Sequence, residues 1–201
     1  MPDKLASMRL VLNIVLLLIA IGLGFALYSS IEEPIAFGDE LGRRTDVVVD
    51  RLKQVRTAQQ LYRDAEGTDG FAKTFDDLTT VLRNGRIPIV SVFGDPDDPN
   101  FDGQIRYDTA YKSAYDSIQV LGIDLDSLRY VPFGGGQFEI FADTTRYQQT
   151  LVDVVEVSTR YGDFMGPFAD ARFQRYDQSY DPGKTLKFGN RSTPSLSGNW
   201  E

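Results

Sequence analysis

The chain of 201 residues carries 21 Lys and Arg against 29 Asp and Glu, and this net charge of −8 disfavours a nucleic-acid phosphate backbone as partner. It contains neither Cys nor His, which excludes thiol and imidazole catalysis, disulfides and His- or Cys-ligated zinc or iron, and leaves carboxylates, Lys and Tyr as catalytic groups. Hydrophobic residues at 42% are sufficient for a buried core.

From Leu10 to Ile31 no residue is charged, and the segment LVLNIVLLLIAIGLGFALYSSI has Asn13, Ser29 and Ser30 as its main polar interruptions. About 20 apolar helical residues span the hydrocarbon core of a bilayer. Arg9 and Glu32-Glu33 mark the two ends, and Tyr28 falls where an interfacial aromatic belongs. The run exceeds the core of an ordinary signal peptide, so a retained anchor is expected over a cleaved leader, although Gly24-Phe25-Ala26 offers small residues at suitable spacing. Lys4 and Arg9 place residues 1–9 in the cytoplasm, against a weaker opposing bias from Arg43 and Arg44. The expected organisation is therefore a cytoplasmic 1–9, an anchor at 10–31, an extracytoplasmic α+β domain at 32–188 and a polar tail at 189–201. This corresponds to a single pass through a bacterial inner membrane, with the domain in the periplasm.

Glu33-Pro34 predicts a break at the membrane surface, because proline disfavours the α region at the preceding residue. A second, amphipathic helix then runs from about Asp39 to Glu66, with Leu41, Val48, Leu52, Val55, Ala58, Tyr62 and Ala65 on one stripe and Arg44, Asp50, Arg51, Lys53, Arg56 and Arg63 opposite. That stripe serves either the domain's own sheet or neighbouring copies as well. Gly67 is the expected C-cap. Thr74 or an adjacent residue caps a short helix whose inward residues are Phe75, Leu78, Val81 and Leu82, ending at Asn84-Gly85.

Strands are predicted at 87–93, 104–113, 127–133, 137–143 and 152–158, as an antiparallel meander. Gly134-Gly135-Gly136 lies between two strands and reads as a turn, not a phosphate loop. Residues 164–176 suit one more short helix. The tail is either disordered or laid along the surface, and Trp200, the sole Trp, is expected to dock on its own domain or on a partner.

The candidate ligand site is an acidic loop. Asp98, Asn100 and Asp102 stand at the first, third and fifth positions of a calcium-loop pattern, with Gly103 at the sixth and Ile105 at the eighth. Thr109 replaces the usual Glu at the twelfth position and Pro99 restricts the backbone, so the alternatives are a calcium site and an ordinary acidic turn. No other cofactor is expected. The pairs Asp76/Asp77 and Asp124/Asp126 read as solvated surface, so no enzyme is expected.

An anchor, an amphipathic helix and a small antiparallel sheet, in that order, resemble the layout of type IV pilins and type II secretion pseudopilins. The stretch from Val55 to Gly67, VRTAQQLYRDAEG, is similar to the pseudopilin helix that runs into an Asp–Gly turn, and Phe75-Asp76-Asp77-Leu78 follows at a similar distance. The chain departs from pilins in two respects: Gly24-Phe25 falls near the end of the apolar segment rather than before it, and no acid lies within that segment. The full chain more closely resembles a family of uncharacterised single-pass bacterial envelope proteins. The motifs that carry this are residues 55–67, Phe75 to Leu82 with Gly85-Arg86-Ile87-Pro88, Ile105 to Thr109, Asp126 to Phe133 and Gly198-Asn199-Trp200-Glu201. That family resemblance implies architecture and location and carries no activity. The pseudopilin-like layout, the missing catalytic groups and the long amphipathic helix lead to the expectation of a non-enzymatic structural or assembly subunit of an envelope complex, such as a secretion, filament or motility machine, whose partners are the membrane and other envelope proteins or copies of itself. The alternative is a monomeric, membrane-tethered ligand-binding or accessory domain.

Overall fold

The computed structural model describes residues 2–93 and 106–201. The first helix, α1, runs Pro2–Arg63 without interruption, a rod about 90 Å long at 1.5 Å per residue. Its apolar portion has a mean hydropathy of 2.4 and is entirely exposed, long and apolar enough to cross a membrane. The expected break at Glu33-Pro34 is absent: Pro34 lies inside the helix. Proline lacks the N–H that would bond Ser30 O, but the loss of one bond is outweighed because the residues on both sides are held. The following turn is locked into the domain by Phe37, which is 1% exposed.

Beyond Pro34 the helix becomes the spine of the domain. Val48, Leu52, Val55 and Ala58 have no exposed surface, as the stripe predicted, and Phe37 extends that stripe toward the apolar portion of α1. Each large apolar side chain buried this way contributes about 1.5–3 kcal/mol. The supposedly solvated face is less so. Arg44 donates to Phe164 O at 2.8 Å, Arg51 to Ser127 Oγ at 2.7 Å and Arg56 to Leu196 O at 3.2 Å. These long side chains flank the apolar stripe and reach over its edges to groups of the domain. The helix stops in a turn with Gly67 at φ +79°, and the Thr68 hydroxyl lies 2.8 Å from Tyr62 O and 2.7 Å from Ala65 O, serving the carbonyls left open at the helix end.

Helix α2 (Phe75–Asn84) is capped by Thr74, whose hydroxyl accepts from Asp77 N at 3.1 Å. Its buried residues are Phe75, Leu78 and Leu82, while Val81 is half-buried. Strands β1 (Arg86–Phe93) and β2 (Arg106–Ser113) pair antiparallel as a separate two-stranded sheet. A seven-residue helix, α3 (Ala114–Val120), follows directly, capped by Ser113. Residues 127–133 form turns instead of the predicted strand, with one bridge, Tyr130 to Gln137. Pro132 removes a ladder donor, Phe133 takes φ +63°, and Tyr130 N bonds back to Ser127 O.

The main sheet has three strands in the order β3–β4–β5: β3 (Glu139–Tyr147), β4 (Thr150–Arg160) and β5 (Thr185–Gly189). The predicted meander is thus two sheets. Gln148 and Gln149 make the tight turn between β3 and β4, both with positive φ. The 164–176 region is three short pieces: α4 (Tyr161–Met165) and two 3₁₀ turns, Gly166–Phe168 and Ala171–Arg175. β4 is buried from Val154 to Thr159: Val155 and Val157 face the core, and β3 and β5 flank it, with the C-terminal tail bonded along the outer edge of β5. That tail is ordered. Asn199 N donates to Lys187 O at 3.0 Å, Asn199 Nδ2 to Thr185 O at 2.8 Å, and Trp200 packs on the chain's own core.

Candidate functional site: the helix collar and its neighbouring clefts

Where the apolar span of α1 ends, the Gly166–Tyr176 segment wraps the helix. Phe37 is stacked on Phe173 at 5.2 Å between ring centres and met edge-on by Phe168 at 6.0 Å and Tyr180 at 5.0 Å. One turn earlier, Glu33 receives Arg175 at 2.8 Å, Arg172 at 3.2 Å and the Tyr176 hydroxyl. The Tyr176 hydrogen bond, working with Arg172 and Arg175 against the cost of burial, holds the Glu33 carboxyl below its ordinary range. The same contact pushes the Tyr176 phenol up. Two turns further on, Arg43 and then Arg44 hold Glu40 down at about 2. The collar therefore clamps the helix by one aromatic plug and one ionic latch at Glu33, whereas the Glu40 pairs lie within α1 itself.

Beside the collar lies an open cleft of about 420 Å³, with Gly38, Leu41, Gly42, Thr45 and Asp46 of α1 on one wall and Asp177, Tyr180, Asp181 and Lys184 on the other. The two glycines keep the helix wall low. Tyr161 forms the floor, its phenol pushed up by burial against the opposing effect of the Thr45 hydroxyl.

A second, polar groove of about 170 Å³ crosses the main sheet. At its base Glu156, with its side chain 8% exposed, accepts from Lys187 Nζ at 2.6 Å and Arg191 Nε at 2.7 Å. Burial pushes this carboxyl up, but the hydrogen bonds and charges of Lys187 and Arg191 outweigh burial and leave it below its ordinary value of 4.5. A carboxyl depressed in the folded state contributes stability that is complete above its unfolded value and is lost as pH falls through the folded one. Glu156→Gln is therefore expected to cost about 1–2 kcal/mol at pH 7. This is less than the loss of a fully buried pair, because Lys187 and Arg191 keep contact with water. The gap from the native chain should narrow as pH falls below about 5, and urea unfolding at pH 7 and pH 3 measures it; a gap that stays constant contradicts this role.

Asp98, Asn100 and Asp102, the sequence-predicted calcium ligands, lie outside the described residues. Among the described residues no group of three His, Cys, Asp or Glu side chains is placed to hold a metal ion. The collar escaped sequence reasoning because Glu33 reads as a border charge and its partners lie 139 to 143 residues away. Phe37 had a signal, since it stands four residues before Leu41 on the same stripe, but reading Pro34 as a break hid it. Glu156 sits among alternating valines and gave no sign of its burial. Compared with known proteins, the chain matches no family model, no curated protein and no solved structure.

Proposed function

We propose that this protein is a non-enzymatic, membrane-anchored structural or assembly subunit of a bacterial envelope complex, with its domain on the periplasmic side of the inner membrane. The observation that carries the reading is α1 itself: one helix is both the span and the spine of the core. Lateral force or packing on the span is delivered to the domain without a hinge, because the collar holds the helix on both sides of Pro34, at Glu33 and at Phe37. A flexible linker would tether a domain without such coupling. The layout of a long helix, half projecting and half packed against a small antiparallel sheet, supports a pilin-like or pseudopilin-like role, in which spans and helices pack against copies or partners.

The second reading is a membrane-tethered ligand-binding domain, and the cleft lined by Tyr161 and Tyr180 favours it. Gentle extraction of the full-length protein from native membranes, followed by mass photometry and electron microscopy, separates the two. The subunit reading expects a large assembly or filament. A lone particle of one anchor and one domain, unchanged after crosslinking, overturns it and directs attention to the cleft.

A further inference from the structure

The β1–β2 ribbon stands apart from the rest of the domain. It is about 25 Å long, and β2 is exposed over its whole length up to Ser113. One face carries Pro88, Val90 and Val92 of β1 against Tyr111, Thr109 and Tyr107 of β2, and Tyr107 and Val90 are 70% and 56% exposed. An isolated two-stranded ribbon is marginal in water, and an open, apolar strand edge is a template for another strand.

The two edges are not equivalent. Glu66 N donates to Arg86 O at 2.8 Å, so the backbone groups of Arg86 point out of the ribbon, and by alternation so do those of Pro88, Val90 and Val92. The outer edge of β1 is thus capped at one end by Glu66 and lacks a donor at Pro88. The pairing of Pro88 with Tyr111, Val90 with Thr109 and Val92 with Tyr107 means that Tyr107, Thr109 and Tyr111 present their N–H and C=O groups outward from β2. Among the described residues no backbone group meets them there.

We infer that the outer edge of β2 pairs antiparallel with β2 of a second copy of this chain, about a two-fold axis at Ala110. This deepens the structural-subunit reading and rests on it. In this register Thr109 meets Tyr111 of the copy and Tyr107 meets Ser113, so every outward-facing pair is of the hydrogen-bonding kind. The same register sets Asp108 opposite Lys112 twice, once in each direction, as an isologous interface requires. Neither charge has an ion pair among the described residues. Shifting the axis to Thr109 keeps the hydrogen-bond parity but opposes Arg106 to Lys112. Shifting it to Tyr111 loses both charge pairs. An axis between residues sets outward groups against inward ones. Only the axis at Ala110 satisfies backbone and charge together, with a small residue where the copies approach most closely. The product is a four-stranded sheet, in which Tyr111 gains the Tyr107 and Tyr111 rings of the copy as diagonal neighbours.

The chain has no cysteine, so a single introduced one is a clean probe. In the full-length protein in native membranes, Ala110→Cys places two sulfurs across a pair about 4.5 Å apart at Cα, within disulfide reach. Mild oxidation should yield a homodimer from Ala110→Cys and not from Val120→Cys, which is also exposed but off the edge. Adding Asp108→Lys should lower the dimer yield roughly tenfold, and adding Lys112→Asp to that should restore it, which a folding defect would not. Equal crosslinking at both cysteine positions, no rescue by the charge swap, or a crosslink to a different protein overturns the pairing. A large assembly that gives no crosslink at Ala110→Cys overturns the pairing and leaves the subunit reading standing, whereas a lone particle overturns both.

Discussion

Replacing Phe37 with alanine is expected to lower the unfolding free energy of the domain by about 3–5 kcal/mol, a large fraction of the stability of a domain this size. The ring is 1% exposed and sits among Phe168, Phe173, Tyr176 and Tyr180. Its removal opens a cavity that four aromatic neighbours cannot fill, because each is tied by a second contact. Tyr180, for example, donates to Phe168 O at 2.7 Å, and Tyr176 to Glu33. Urea unfolding of the full-length protein in detergent measures the loss, with Trp200 as the sole tryptophan reporter. Leu23→Ala, in the exposed span, should leave the same transition within about 0.5 kcal/mol. If Phe37→Ala unfolds no more easily than Leu23→Ala, the collar does not join helix to domain, and the coupling on which the proposed function depends fails with it.

Gln59→Leu is expected to cost about 2–5 kcal/mol, although leucine is the more hydrophobic residue and a better helix former. Gln59 has no exposed surface. Its amide Nε2 donates to Ala72 O at 3.1 Å, and Ala72 N donates to its Oε1 at 2.9 Å. The side chain thereby replaces a strand partner for the backbone that leads from α1 to α2. Leucine would leave both groups of Ala72 buried without partners, and each orphan costs about 1–3 kcal/mol. The effect should be local as well as global. Amide exchange at Ala72, expected to be slow in the native protein because its N–H is buried and bonded to Gln59, should become fast in the variant, while exchange in β4 follows overall stability. A variant as stable as the native chain would mean that water or a backbone shift satisfies Ala72.

Most of the periodic structure is legible in the sequence. Val48, Leu52, Val55 and Ala58 declare their buried face by spacing alone, and Thr74 declares the start of α2, because capping and amphipathic burial act within a few residues. β1, β2, β3 and β4 follow from alternation. The failures share one cause. Pro34 is a helix breaker locally, yet the helix continues because the collar holds it. The Asp126 to Phe133 stretch has strand-like composition, yet its polar groups are taken by turns and by Arg51, and Arg129 pairs with Asp76 on α2. β5 is five residues of unremarkable pattern that becomes a strand because β4 offers an edge. α3 is too short for periodicity to register.

By itself the sequence determined that a long apolar segment leads an acidic α+β domain free of Cys and His, and which face of the following helix is buried, since these depend on composition and on contacts within a turn or two. Only the tertiary structure decided that span and spine are one rod, that Glu33 is latched by Arg172 and Arg175, that Glu156 is buried between Lys187 and Arg191, that Trp200 docks on its own chain, and that β1 and β2 stand apart with one edge open. These depend on which distant residues meet, and such pairings follow from the packing of the whole core.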